Sequence, residues 1–210
     1  MRLLKNKRVI ITAGGTREKI DPVRYIGNYS SGKMGKALAQ AFMQAGADVK
    51  VISGPAEVHY PCEMQRIESA NEMLTACKES LPCDIFVACA AVADMRPKNF
   101  SAEKIKKQNL TSIELTENPD ILATIAKSAM RPKLIIGFAA ESENHIENAR
   151  LKLTKKSCDL IILNDTSAMG NDENEVWLVT KDKEIKLARA SKDVIAEKIV
   201  QWILDVGFGN

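Results

Sequence analysis

Hydrophobic positions follow two alternating rhythms along the chain. Short, nearly unbroken apolar or β-branched runs occur at Arg8–Ala13, at Asp48–Ser53 and at residues 84–89, 133–138 and 159–163. Such runs predict parallel strands covered on both faces, because a strand wetted on one side alternates apolar with polar residues. The stretches between them carry apolar residues at helical spacing. They predict helices over residues 33–45, closed by Gly46, and over 70–80, 119–130 and 144–157. Strand and helix alternate, which predicts right-handed crossovers in an α/β, Rossmann-like, doubly wound and mainly parallel sheet. The pattern then changes. Residues 175–180 and 184–188 are separated only by Lys181-Asp182-Lys183, which predicts an antiparallel C-terminal hairpin. A last helix over 191–205 carries Val194, Ile195, Ile199, Trp202 and Ile203 at helical spacing. Only residues 94–112 form a long stretch without clear periodicity, and that stretch is basic. Loops of this length inside compact domains are commonly functional or disordered, so a mobile lid is expected there, within one domain spanning 1–210.

With 210 residues, 45% of them hydrophobic, the chain can bury one well-packed core. Lys and Arg number 30 against 27 Asp and Glu, so the dense positive footprint of a nucleic-acid binder is missing. A local basic site for a phosphorylated small molecule is compatible with this balance. The five cysteines are odd in number and form no CxxC pair, which suits reduced thiols in the cytoplasm. No apolar stretch reaches the ~20 residues of a membrane span, and the N-terminus runs directly into the first strand pattern. A soluble cytoplasmic protein with no membrane partner is expected.

Candidate chemistry gathers after the strands. Gly14-Gly15 follows the first one, where open α/β sheets approach their ligands, although a glycine pair equally suits a plain turn. GxGxxG is absent. Residues 27–33 fit GxxxxGK, but Met34 lacks the hydroxyl that would hold magnesium in a P-loop, and no strand leads straight into Gly27. Ser30-Ser31-Gly32 opens a helix and reads either as an ordinary cap or as an anion site. Ala90-Ala91-Val92-Ala93-Asp94 leaves space above a strand end for a bulky ligand and puts an acid at its rim. Lys104, Lys106 and Lys107 crowd the expected lid, either as solvated charge or as groups suited to neutralising phosphate. Asn118-Pro119-Asp120 reads as a capping turn. Lys152 and Lys156 share a helix face. His59 and His145 stand apart with no ligand cluster, so no protein-built metal site is expected. No GxSxG or Cys–His nucleophile is evident.

Residues 11–39, ITAGGTREKIDPVRYIGNYSSGKMGKALA, closely resemble the phosphopantothenate–cysteine ligase family, in particular the ligase half of the bacterial bifunctional flavoprotein. CAAVAD (89–94), EKIKKQ (103–108), NPDI (118–121), GFAAE (137–141) and DLIILND (159–165) resemble that family's blocks, in its order. The resemblance implies a dimer in which an antiparallel element contributes to subunit contact. It implies that 4′-phosphopantothenate is activated by CTP to an acyl-cytidylate, with Mg2+ accompanying the triphosphate, and that L-cysteine then displaces CMP. Asn28, Arg24 and Lys104 are the catalytic residues it implies. For the nucleotide it implies Gly14, Gly15, Ala88, Cys89, Ala90, Asp94, Lys104, Asn118, Pro119, Asp120, Ile121, Phe138, Lys152 and Lys156. For the substrate it implies Asn28, Ser30, Ala90 and Ala91. The 210 residues include no flavin domain of the kind found in the bifunctional protein, so decarboxylation by them is not expected, while association with a separate or fused flavin decarboxylase is compatible. Two other readings share the βαβ pattern. One is a nicotinamide-dependent oxidoreductase, opposed by the absent GxGxxG; the other is a regulatory nucleotide-binding module, opposed by the presence of Asn28 and Lys104.

Overall fold

The computed structural model describes residues 3–141, 145–165 and 173–207. The chain begins with β1 (Arg8–Ala13), a hairpin of β2 (Arg17–Asp21) and β3 (Arg24–Gly27), α1 (Lys33–Gln44), β4 (Asp48–Ser53), β5 (Glu63–Arg66), α2 (Ala70–Glu79) and β6 (Ile85–Ala88). Next come β7 (Met95–Pro97), a 3-10 turn at Lys107–Asn109, β8 (Leu115–Glu117), α3 (Ile121–Ala126), β9 (Leu134–Glu141) and α4 (His145–Lys156). Finally come β10 (Leu160–Asp165), β11 (Glu173–Val179), β12 (Glu184–Ser191) and α5 (Lys192–Asp205).

One eight-stranded sheet has the order β12-β11-β10-β9-β6-β1-β4-β5. The six strands from β10 to β5 are mutually parallel, whereas β11 pairs antiparallel with both β10 and β12, as the hairpin pattern predicts. Period-two alternation sorts β1 between two core layers. Val9, Ile11 and Ala13 pack with Leu38 and Phe42 of α1 and with Ile195, Ile199 and Ile203 of α5. Ile10 turns the other way, towards Met73 of α2, Ile125 of α3 and Leu153 of α4. The sheet is therefore covered on both faces, which is why its strands read as unbroken apolar runs.

Three expectations change, and one element is new: the β2–β3 hairpin occupies residues 17–27, where the sequence pattern predicts no element. Residues 94–112 are not structureless: β7 pairs with β8, and the connecting segment 98–114 is rooted by the Lys98 N–H donating to the Glu114 carbonyl at 2.9 Å. The helix expected over 119–130, with Pro119 at its first position, is confined to α3; it starts later because Asp120 makes the cap, accepting from the Ala123 N–H at 3.0 Å, and it ends at Ala126. On α5, Val194 is 39% exposed while Ile195, Ile199 and Ile203 are buried, so the buried stripe is narrower than the apolar pattern. Asn144, expected at the start of α4, lies outside the described residues.

The start of α1 explains its glycine. Gly32 adopts φ +75°, and a Cβ there would stand 2.6 Å from the Tyr60 hydroxyl and 2.8 Å from the Ala56 Cβ, so a side chain is excluded by conformation and by space. No helix among the described residues is long and apolar enough to cross a membrane.

Candidate active site

Two adjoining cavities open at the carboxyl ends of the parallel strands, where the chain leaves the sheet and cannot cover it. The first, about 520 Å³, is lined by Thr12 and Ala88 at strand ends, by Ala90 and Asp94, by residues 118–121, and by Phe138, Lys152 and Lys156. It thus gathers most of the residues expected to hold a nucleotide. Its walls are tied by polar contacts between distant segments. The Ala90 N–H donates to Thr12 Oγ1 at 3.3 Å, and the Asn118 backbone N–H donates to the Asp94 carbonyl at 2.8 Å. The Asn118 carboxamide is held at both ends: Nδ2 donates to the Ala93 carbonyl at 2.8 Å, and Oδ1 accepts from the Arg96 guanidinium at 3.2 Å. Asp120 caps α3 with Oδ1 and pairs with Lys156 through Oδ2, which brings that ammonium to the cavity wall.

The second cavity, about 390 Å³, is lined by Gly14, Asn28, Ser30, Cys89, Ala91 and the first residues of α1. It shares Ala90, Val92 and Phe138 with the first. Every residue expected to bind the substrate lies here. Asn28 Nδ2 donates to the Val92 carbonyl at 3.1 Å, so the carboxamide spans from the end of the β2–β3 hairpin to the wall common to both cavities. An ordinary serine cap is not what opens α1. The N-cap is Gly32, without a side-chain cap, and Ser31 Oγ reaches the Lys33 N–H only at 3.5 Å. The start of this 12-residue helix, Lys33 to Gly35, lines the cavity together with Ser30 and Ser31, and a helix N-terminus is a place that favours an anion. Burial pushes the Cys89 thiol up to about 12, so it lines the cavity as a protonated side chain at neutral pH.

Three expected residues line neither cavity. Gly15 shapes rather than lines the site: a Cβ there would lie 2.5 Å from the Asn28 carbonyl oxygen. Arg24 pairs with buried Asp21 and donates to the Ile105 carbonyl at 2.7 Å. Lys104 is exposed on segment 98–114. Conversely, the far wall of the second cavity carries Asn164, Asn174 and Lys192, which the sequence reading missed. The buried Oδ1 atoms of Asn164 and Asn174 have no hydrogen-bond partner among the described residues. Asn174 and Lys192 stand singly in a strand and at a helix start, without a local pattern to flag them, whereas Asn164 lies within the DLIILND block with no site role expected of it.

Fold and site define an open α/β domain that takes ligands where its parallel strands end, in two compartments with a common wall. The family model described as DNA/pantothenate metabolism flavoprotein C-terminal domain matches residues 4–206, and the chain belongs to that family. It is 44% identical over 212 residues to the coenzyme A biosynthesis bifunctional protein CoaBC of Vibrio cholerae, an alignment covering 96% of this chain and 53% of the relative. The chain therefore spans about half the length of the curated relatives it matches. The crystal structure of a CoaBC C-terminal domain superposes with a TM-score of 0.84 at 38% identity, covering 98% of each chain. Cab2 in complex with phosphopantothenate-cysteine shares the fold, with a TM-score of 0.78 at 17% identity over 96% of this chain and 86% of that one. The mainly parallel sheet with antiparallel C-terminal strands is thus the architecture of the family. A nicotinamide site of the usual kind needs a glycine turn leading directly into a helix, and here the β2–β3 hairpin stands in that place.

Proposed function

We propose that this chain is a phosphopantothenate–cysteine ligase of coenzyme A synthesis, working in the cytoplasm, and that its two cavities hold the two activated partners. The common wall of Ala90, Val92 and Phe138 carries this reading, because it lets a nucleotide phosphate in one compartment meet a carboxylate in the other. CTP occupies the larger cavity. Asn118 to Ile121 and Phe138 shape its base and ribose end, and Lys152 and Lys156 offset phosphate charge. The pantothenoyl group occupies the smaller cavity with its carboxylate towards Asn28. A carboxylate oxygen attacks the α-phosphorus, the bond to the β-phosphate oxygen breaks, and pyrophosphate leaves. The amine of L-cysteine then attacks the acyl carbon, loses a proton, and displaces CMP as the amide forms. Asn28 donates to the acyl-nucleotide during both steps.

A magnesium ion entering with CTP would spread phosphate charge. The described residues contain no cluster of three metal-ligating side chains, but Asp94 and Glu117 line the larger cavity and would complete a shell made mainly of phosphate oxygens and water. The subunit arrangement we favour is a homodimer. Val23, Tyr25, Phe100 and Leu115 expose 59%, 51%, 59% and 43% of their surface on the β2–β3 hairpin and around β7 and β8. The C-terminal hairpin, by contrast, presents mainly charge. A flavin decarboxylase domain, fused or separate, would supply the companion activity of the bifunctional relatives.

Incubation with 4′-phosphopantothenate, L-cysteine and either CTP or ATP tests the function. Mass analysis should find the amide product together with CMP and pyrophosphate, and with CTP before ATP. Failure to form any nucleotide monophosphate would overturn the reading.

A further inference from the structure

Arg24 and Lys104 stand outside both cavities, yet they are joined through Asp21. The Asp21 carboxylate is buried, with none of its side-chain surface accessible. Its Oδ1 accepts from the backbone N–H groups of Val23 at 2.9 Å and Arg24 at 3.0 Å, which closes the tip of the β2–β3 hairpin. Its Oδ2 accepts from Arg24 Nε at 2.9 Å and from the Ile105 N–H at 3.2 Å. The same guanidinium donates to the Ile105 carbonyl at 2.7 Å. Ile105 is thus gripped at both backbone polar groups, 84 residues away in sequence. The residue before it is Lys104.

We propose that Asp21 is a positioning residue: its carboxylate locks Arg24 and the Ile105 backbone into one unit and thereby sets where Lys104 stands. A buried carboxylate survives only when its lone pairs are met, and here segment 98–114 supplies part of that satisfaction. The segment is therefore clasped at Ile105, with Lys104 on one side and Lys106 on the other. Arg24 acts in the clasp as well as in any contact it makes with substrate. The kinetic part of this inference rests on the proposed activation step; the structural part does not.

The test is Asp21→Asn, which keeps Oδ1 for the hairpin turn and replaces the oxygen that Arg24 and Ile105 share. Amide hydrogen exchange at Ile105 and tryptic cleavage after Lys104 and Lys106 should each rise about 10-fold or more, with exchange in β1 and β9 unchanged. In single-turnover pyrophosphate release, Asp21→Asn should be slowed, and the Asp21→Asn/Lys104→Gln double variant should be no slower than Lys104→Gln alone. Non-additivity of this kind is what action through Lys104 requires, whereas a merely structural residue gives losses that multiply. Losses that multiply, or unchanged exchange at Ile105, would overturn the proposal. Should Asp21→Asn not fold, Arg24→Lys keeps the charge and removes the guanidinium that donates to the Asp21 carboxylate and the Ile105 carbonyl together; it too should speed exchange there, and unchanged exchange would again refute the clasp. A wild-type protein that releases no pyrophosphate from CTP would defeat the ligase reading, while the exchange measurement would still decide the role of Asp21.

Discussion

Single side chains here are legible as charge and hydrogen-bond arithmetic. Asn28 offers an amide donor beside the wall shared by the cavities. Asn28→Asp replaces that donor with a negative charge close to an acyl-phosphate, so the second step should suffer more than the first. Acyl-cytidylate should build up and be trapped in quenched reactions; normal product formation with no trapped intermediate would remove Asn28 from this role. Asp21 makes a second residue-scale prediction. The Arg24 guanidinium, helped by the backbone N–H groups of Val23 and Ile105, holds its carboxyl at about 2 against an ordinary 3.8, although burial pulls the other way. A depressed folded-state value stabilises the fold above the unfolded value and loses that contribution as pH falls through the folded one. The difference in melting temperature between wild type and Asp21→Asn should therefore be constant above about pH 5 and close between 3.8 and about 2. A difference that does not vary with pH would mean the carboxylate charge contributes nothing.

At the scale of elements, segment 98–114 is held at its ends by the β7–β8 pair and along its length by Ser101 and Ile105 against the β2–β3 hairpin. Few apolar anchors join these contacts, so on the proposed function opening should cost little and a bound triphosphate should draw the segment inwards. Lys104→Gln keeps most of the side-chain length and removes the charge. Pyrophosphate release without cysteine should slow by about 10²-fold, the scale of one electrostatic contact to a transition state, while folding and subunit state stay the same. An unaltered first-step rate in burst kinetics would leave Lys104 as a solvated charge. The same elements show what a sequence reveals. Both ends of β1 and β4 are readable because burial on two faces leaves continuous apolar runs. The β2–β3 hairpin is not readable, because Glu18 and Asp21 are buried by hydrogen bonding and not by hydrophobicity; Glu18 accepts from the Ala70 N–H at 2.9 Å. Pro97 and a length of three residues hide β7 in the same way. The larger cavity is legible because its residues sit on contiguous motifs at strand ends. The grip of Asp21 on Ile105 is invisible to any local pattern, since it joins residues 84 positions apart.

For the whole molecule, the exposed apolar residues of the β2–β3 hairpin and of the segment around β7 form one neighbourhood, because the Ser101 N–H donates to the Ile20 carbonyl at 3.1 Å and sets Phe100 beside that hairpin. Neighbouring exposed apolar side chains of this kind mark association surfaces. In the homodimer proposed above, Val23→Glu with Phe100→Glu should raise the dissociation constant about 10-fold or more, read as a shift towards monomer in light scattering across a dilution series. An unchanged mass profile would place the subunit contact elsewhere. The two ends of the main sheet give the opposite instruction. At one margin β5 reads Glu63-Met64-Gln65-Arg66, with Glu63 paired to Lys50 at 3.2 Å. At the other, β12 faces water with Lys186 and Arg189 paired to Glu175 and Glu173 of its neighbour. A ninth strand arriving from another molecule would have to strip water from these charges at either margin, so edge-to-edge stacking into fibrous aggregates is opposed from both directions. The sheet is finite through electrostatics, and the protein can be concentrated in a crowded compartment without its open edges recruiting one another.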